Sequence, residues 1–359
     1  MKRRWLIRAA VAALALAALG AGVMFSGVIP VTASSGHWDI TKWVLHTAMR
    51  RSVATHSMGI TPPEGLDDLD DEALVLLGAG HYEHGCRYCH GAVGTRMPRV
   101  PGAMTPVPPW LPPRIEGLDD AELFYVVKHG VKFTGMPAWP AQERDDEVWA
   151  LVAFLRRVPE MSQAEYRRLT QASSESAEAP PVVSRMCARC HGADGLSRGV
   201  DGAAPRLAGQ RVDYLDAALL AYAEGHRPSG MMEPLAAELF EEDRRLIARW
   251  YASRPGMPAA PALAGASIER GAAIAERGVP EERVAACSEC HGPSPTDRAD
   301  SYPILSGQWA GYLRDQLQLF ARGVRGGAPQ AELMEEVDPH RLSPEEIRDV
   351  ASYYARSGG

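Results

Sequence analysis

All six cysteines of this 359-residue chain fall into three Cys-x-x-Cys-His strings: Cys86-Arg-Tyr-Cys89-His90, Cys187-Ala-Arg-Cys190-His191 and Cys287-Ser-Glu-Cys290-His291. Residue types in this order suit one chemistry. Each pair of thiols can add to the two vinyl groups of a haem, and the same helical turn then brings the following imidazole under the iron as proximal ligand. At the chain's own residue frequencies, roughly 0.003 such strings would occur by chance, and three are present. A zinc knuckle would need four ligands in a paired arrangement, and a thioredoxin-type redox site would need a βαβ setting. Neither fits. The expected cofactors are therefore three haem c groups, attached through Cys86, Cys89, Cys187, Cys190, Cys287 and Cys290, with His90, His191 and His291 on the iron. No cysteine remains for a disulfide.

A soft thioether suits the opposite side of haem iron, so a methionine about 40–50 residues after each histidine is sought, in a loop before the last helix of its unit. Met136 satisfies this in Gly135-Met136-Pro137-Ala138-Trp139, where the neighbouring Pro and Gly fix its place. Met97 and Met104 follow His90 too closely. In the second unit Met231 and Met232 compete; alignment on Leu235, Ala236 and Leu239 favours Met232. Met186 and Met257 are poorly placed. In the third, Met334 is the sole methionine after the motif, and His340 is the rival ligand. His81, His84, His129 and His226 are expected to face solvent.

The elements that hold these groups repeat. The first cysteines are 101 and then 100 residues apart, which is the length of a small domain rather than of a solenoid repeat. The second and third units are internally alike. Pro205-Arg-Leu207-Ala-Gly209-Gln210 followed by Tyr214-Leu215 matches Pro303-Ile-Leu305-Ser-Gly307-Gln308 followed by Tyr312-Leu313. The likeness continues from Leu219, Tyr222, Ala223, Gly225 and Arg227 to Leu317, Phe320, Ala321, Gly323 and Arg325. The first unit lacks the Gly-Gln motif. Apolar residues at helical spacing fill 72–82, 119–129 and 144–155, and no segment sustains strand alternation, so the fold expected is all-α. The boundaries read as 1–30 membrane anchor or uncleaved signal, 31–66 juxtamembrane segment, 67–169 first haem domain, 170–183 linker, 184–254 second haem domain, 255–265 linker and 266–359 third haem domain. Both linkers lack periodicity and are rich in Pro, Ser or Ala.

Met1-Lys2-Arg3-Arg4 precedes 21 uncharged residues, Ala9 to Ile29. That length spans a bilayer core of about 20 helical residues better than it fits a signal peptide, so a retained anchor with the basic end cytoplasmic is expected. The haem units would then lie in the periplasm at the inner membrane. After it, Ile40, Trp43, Val44 and Thr47 share one helical face, which either packs on the first unit or lies at the lipid headgroups with Trp38. Hydrophobic residues at 46% and charged residues at 23% exclude wholesale disorder and a multi-span protein. A net charge of −7 argues against nucleic acid as a partner.

These motifs resemble the class I c-type cytochromes. Gly78-x-x-x-Tyr82-x-x-x-Cys86 looks like the family's N-terminal helix running into its haem motif. The second and third units together resemble the tandem dihaem cytochromes c, on Pro205–Tyr214 with Met232 and Pro303–Tyr312 with Met334. The third unit departs by a longer step from Gly323 to Met334. The resemblance implies three class I domains in tandem behind one transmembrane helix and an electron carrier, not an enzyme. It would pass electrons to a respiratory partner such as a terminal haem–copper oxidase. The alternative is the cytochrome subunit of a periplasmic alcohol or sugar-acid dehydrogenase. A haem peroxidase would require one of the three methionines not to be a ligand.

Overall fold

The computed structural model describes residues 2–63, 66, 68–111, 115, 117–171, 178–197, 204–292, 300–327, 331–337 and 339–358. Among these the chain is helical, apart from one isolated antiparallel bridge between Val279 and Val284. The helices are α1 (Lys2–Ser26), α2 (Asp39–His56), α3 (Glu72–His81), α4 (Arg87–His90), α5 (Asp120–His129), α6 (Asp145–Arg157), α7 (Gln163–Thr170) and α8 (Ala188–His191). They continue with α9 (Val212–Ala223), α10 (Met232–Ala237), α11 (Glu241–Ala252), α12 (Ile268–Arg277), α13 (Ser288–His291), α14 (Ala310–Ala321), α15 (Ala331–Glu336) and α16 (Pro344–Arg356).

Local chemistry sets the ends of these helices. Asp119 caps α5 by accepting from the amide of Glu122, whose side chain returns to the Asp119 amide; Ser343 and Glu346 repeat that capping box on α16, with Pro344 in its first turn. Two crossings carry the first and third units. In α3/α6 and α12/α16, a Cβ on Gly78 or Gly271 would overlap the carbonyl of Ala150 or Asp349. Only glycine lets these helices touch backbone to backbone.

Apolar burial joins the first two units. The first unit's core of Tyr82, Trp149, Phe154 and Tyr166 extends to Met231 and Leu235 of the second. Gly80 of α3 lies so close to Cys190 that a Cβ there would stand 2.9 Å from its sulfur. Residues 172–177 of the first linker lie outside the described residues. The second is not a free strap: Met257 and Ala260 are buried, and the Arg206 guanidinium donates to Pro258 O at 2.6 Å.

The helix read as either packed or interfacial divides between the two roles. The C-terminal half of α2 docks on the first unit through buried Val53, through Arg50 donating to Gly117 O at 3.3 Å, and through His56 stacked on Tyr125. Ahead of it, Trp38, Ile40, Trp43 and Val44 are exposed. Helix α1 is long and apolar enough to cross a membrane and buries no residue against the rest of the chain.

Candidate haem sites

Each Cys-x-x-Cys-His string forms a one-turn helix, α4, α8 or α13, with the first cysteine just ahead of it. Glycine ends every turn: Gly91, Gly192 and Gly292 have φ of 79°, 73° and 73°, where a side chain would be strained. The turn therefore stops directly after the histidine, and the chain turns away.

The three imidazoles share one hydrogen bond. His90 Nδ1 meets Pro109 O at 2.8 Å, His191 Nδ1 meets Pro205 O at 2.9 Å, and His291 Nδ1 meets Pro303 O at 3.0 Å. A carbonyl only accepts, so Nδ1 carries the proton and the Nε2 lone pair is left for a metal. Burial also holds all three below the ordinary imidazole range, which favours the neutral, ligating form. Burial pushes the Cys86 and Cys187 thiols up to about 12 and Cys287 up to about 11, so they stay protonated at neutral pH. Among the described residues no group of three or more His, Cys, Asp or Glu side chains could hold a metal ion, so these turns do not converge as zinc ligands do.

A continuous cavity of about 580 Å³ joins the second and third units. It is lined by Cys187, Cys190 and His191 from one side and Cys287, Cys290 and His291 from the other. Met232 and Met334 also line it, and so do Met231 and Met186. Met231 is 8% exposed and packs within the first unit's core, whereas Met232 is half-buried. His340 is exposed on a short turn at 339–341 whose Pro339 lines the cavity while His340 itself does not. Met136 is half-buried in its loop, where its amide donates to Thr134 Oγ1 at 3.0 Å; Met104 packs against Gly135 of the same loop. Apolar walls, paired thiols and a lone imidazole per turn fit a covalently attached haem. Three buried arginines on the cavity wall, Arg206, Arg227 and Arg325, suit its propionate carboxylates.

The Gly-Gln motif has a role that its repetition alone did not reveal. Gln308 Nε2 donates to Arg206 O at 2.9 Å, and its Oε1 accepts from Arg206 N at 2.9 Å. Gln210 does the same to Ile304, with 3.0 Å and 2.8 Å. Arg206 and Ile304 hold equivalent places next to the prolines that bind the two histidines. The exchange has the self-complementary form of a two-fold interface inside one chain. Arg227 then reaches Tyr312 Oη at 3.0 Å, and Arg325 reaches Tyr214 Oη at 3.3 Å.

His81 corrects the sequence reading. It is 2% exposed, its ring packs tilted against Trp139, and its Nδ1 lies 3.3 Å from Glu147 O. Burial pushes its imidazole down to about 4 from an ordinary 6.5. Between those values the unfolded chain binds a proton that the folded chain refuses. This contribution to stability is complete above pH 6.5 and is lost as pH falls toward 4, by about 3 kcal/mol in all. His81→Gln should therefore flatten the drop in melting temperature between pH 7 and 4.5; an unchanged drop contradicts this.

Residues 73–155 match the family described as cytochrome c oxidase, cbb3-type, subunit III, and residues 268–355 match cytochrome c. The thiosulfate dehydrogenase electron acceptor of Stutzerimonas stutzeri is 35% identical over 177 residues, 49% of this chain and 81% of that protein. That of Thiomonas intermedia is 33% identical over 202 residues, 56% of this chain and 91% of that protein. Cytochrome c4 of Pseudomonas aeruginosa is 34% identical over 190 residues, 52% of this chain and 90% of its own. Among solved structures, a cytochrome c4 of Acidithiobacillus ferrooxidans is 34% identical, with a TM-score of 0.42 over 48% of this chain and 99% of its own. These relatives are electron carriers and acceptors, and this chain is an electron carrier rather than an enzyme. The chain belongs to the class I c-type cytochromes, as a relative of cytochrome c4 and of the thiosulfate dehydrogenase electron acceptors.

Proposed function

We propose that this cytochrome is a three-haem electron relay between a periplasmic dehydrogenase and a terminal haem–copper oxidase, tethered to the inner membrane by α1. The observation that carries the reading is the threefold repeat of one device: paired cysteines, a histidine whose Nδ1 is committed to a proline carbonyl, and a glycine that ends the turn. Haem iron, when bound, supplies a one-electron couple whose potential rises with His/Met ligation. The chain's part is to attach, orient and screen it. Cys86, Cys89 and His90 with Met136 serve domain 67–169. Cys187, Cys190 and His191 with Met232 serve domain 184–254. Cys287, Cys290 and His291 with Met334 serve domain 266–359.

The dehydrogenase side rests on relatives named as electron acceptors of thiosulfate dehydrogenase. The oxidase side rests on the first unit's match to an oxidase subunit. Exposed Trp38 and Trp43 sit between α1 and the first unit, where indoles favour the headgroup region and would hold that unit near membrane partners. Purification in mild detergent should bring down oxidase subunits, and the purified chain should be reduced by a thiosulfate dehydrogenase turning over its substrate. A chain that neither accepts these electrons nor is oxidised by the membranes contradicts the relay.

The ligand set gives its own test. Met136→Ala and Met232→Ala should each leave three attached haems but open one iron to carbon monoxide, while Met231→Ala and His340→Ala should leave both haem spectrum and carbon monoxide uptake unaltered. A spectral shift in His340→Ala would move the third site's ligand from Met334 to His340.

A further inference from the structure

The buried carboxylate of Glu147 belongs to the first unit, on α6, and is 4% exposed. Four donors surround it. From its own unit, Trp139 Nε1 donates to Oε2 at 3.1 Å and Arg144 pairs with Oε1 at 3.0 Å. From the second unit, Ser229 Oγ donates to Oε1 at 2.5 Å and Gly230 N to Oε2 at 2.7 Å. Burial raises this carboxyl's pKa, yet every neighbour donates to it, which is the bonding of the ionised form, with Arg144 as counter-charge. Ser229 is itself buried, and its Oγ receives the amides of Met231 at 3.3 Å and Met232 at 3.0 Å. Gly230 lies so close to the Trp139 indole that a Cβ would overlap it. Arg144 Nη1 also donates to Pro228 O at 3.0 Å. The segment 228–232 that delivers Met232 to the cavity is thus bonded at Pro228, Ser229 and Gly230 to side chains of another unit, and Ser229 Oγ in turn holds the amides of Met231 and Met232. Trp139, at its centre, stands three residues after Met136.

We infer that Glu147 is a positioning residue for the second haem's distal ligand, so that the first unit, through Ser229 and Gly230, sets the coordination and potential of the second. The inference rests on the proposal that Met232 ligates the iron. It gives the tandem arrangement a function beyond carrying three separate centres, because the second centre is complete only when the first unit is docked on it. The two distal loops, 135–139 and 228–232, are held face to face by one carboxylate.

The test uses the full-length holoprotein in detergent, the single variants Glu147→Ala, Glu147→Gln, Ser229→Ala and Met232→Ala, and the double variant Glu147→Ala/Met232→Ala. Intact mass counts the haems. The sulfur-to-iron charge-transfer band of the ferric protein counts methionine ligands, and a redox titration resolves the three potentials. Glu147→Ala should keep three haems, lose about one third of the band, bind carbon monoxide at one iron and lower one potential while the other two stay in place. Adding Met232→Ala to it should change nothing further. Glu147→Gln should retain the band, since its amide oxygen still accepts from Gly230 N. Ser229→Ala, which removes only the relay hydroxyl, should shift the same potential in the same direction, and it decides the matter if Glu147→Ala does not fold. If Glu147→Ala and Ser229→Ala lower the melting temperature but leave the band and all three potentials unmoved, the residue is merely structural and the inference is overturned. If Met232→Ala leaves the band whole, the ligand assignment has failed and the inference falls with it.

Discussion

Alanine at both Gln210 and Gln308 is expected to unlatch the third unit from the second, at a cost of roughly 5 kcal/mol. Each glutamine is almost fully buried and gives both its amide groups to one backbone residue of the other unit. Their removal strands the N–H and C=O of buried Arg206 and unpairs those of half-buried Ile304. Each stranded group costs about 1–3 kcal/mol, so four make the double substitution far more damaging than loss of four surface hydrogen bonds. The second linker should loosen as well, because Arg206 also holds Pro258 O and Gly307 O. The expected readouts are a single cooperative melt that splits into two, and new cleavage by a broad-specificity protease within 255–265. An unsplit melt with an intact linker would contradict the role given to this exchange.

The second large effect is expected at the helix crossings. Valine at Gly78 would drive its side chain into the Ala150 carbonyl and the Phe154 Cβ of α6, and valine at Gly271 into the Asp349 carbonyl of α16. A flexible side chain could move aside, but backbone cannot without separating the helices. The cost should therefore reach about 3 kcal/mol or more, the upper end of overpacking. Gly78→Val should lower the melting temperature and the yield of haem-loaded protein, whereas Gly102→Val, built into open space, should do neither. Equal melting temperatures for the two variants would show that the crossing tolerates separation.

Much of this architecture is legible in the sequence because it is local. A Cys-x-x-Cys-His string is one helical turn, and its spacing alone specifies the chemistry. Apolar residues at helical spacing mark α5 and α6 within a residue or two of where they form. What is not legible lies between units. Asp145-Asp146-Glu147 reads as an acidic first turn that favours the helix dipole, and that reading is sound for Asp145, which is half-buried and paired with Lys128. Nothing in the run distinguishes Glu147, whose partners Ser229 and Gly230 lie some 80 residues on. His81 looks like a polar end to an apolar helix, and only the packing of Trp139 and the second unit encloses it. The Gly-Gln repeat is visible as a repeat, but its meaning needs two copies facing each other. A buried glutamine motif recurring next to a haem-site proline was the available signal for an interface.

The most direct test is the intact mass of the purified full-length chain under denaturing conditions, which retain only covalent attachments. Three haem masses are expected on the wild-type chain. Two are expected after each of the double substitutions Cys86→Ala/Cys89→Ala, Cys187→Ala/Cys190→Ala and Cys287→Ala/Cys290→Ala. A wild-type mass carrying fewer than three haems, or a double substitution that leaves the count unchanged, would contradict a three-haem cytochrome.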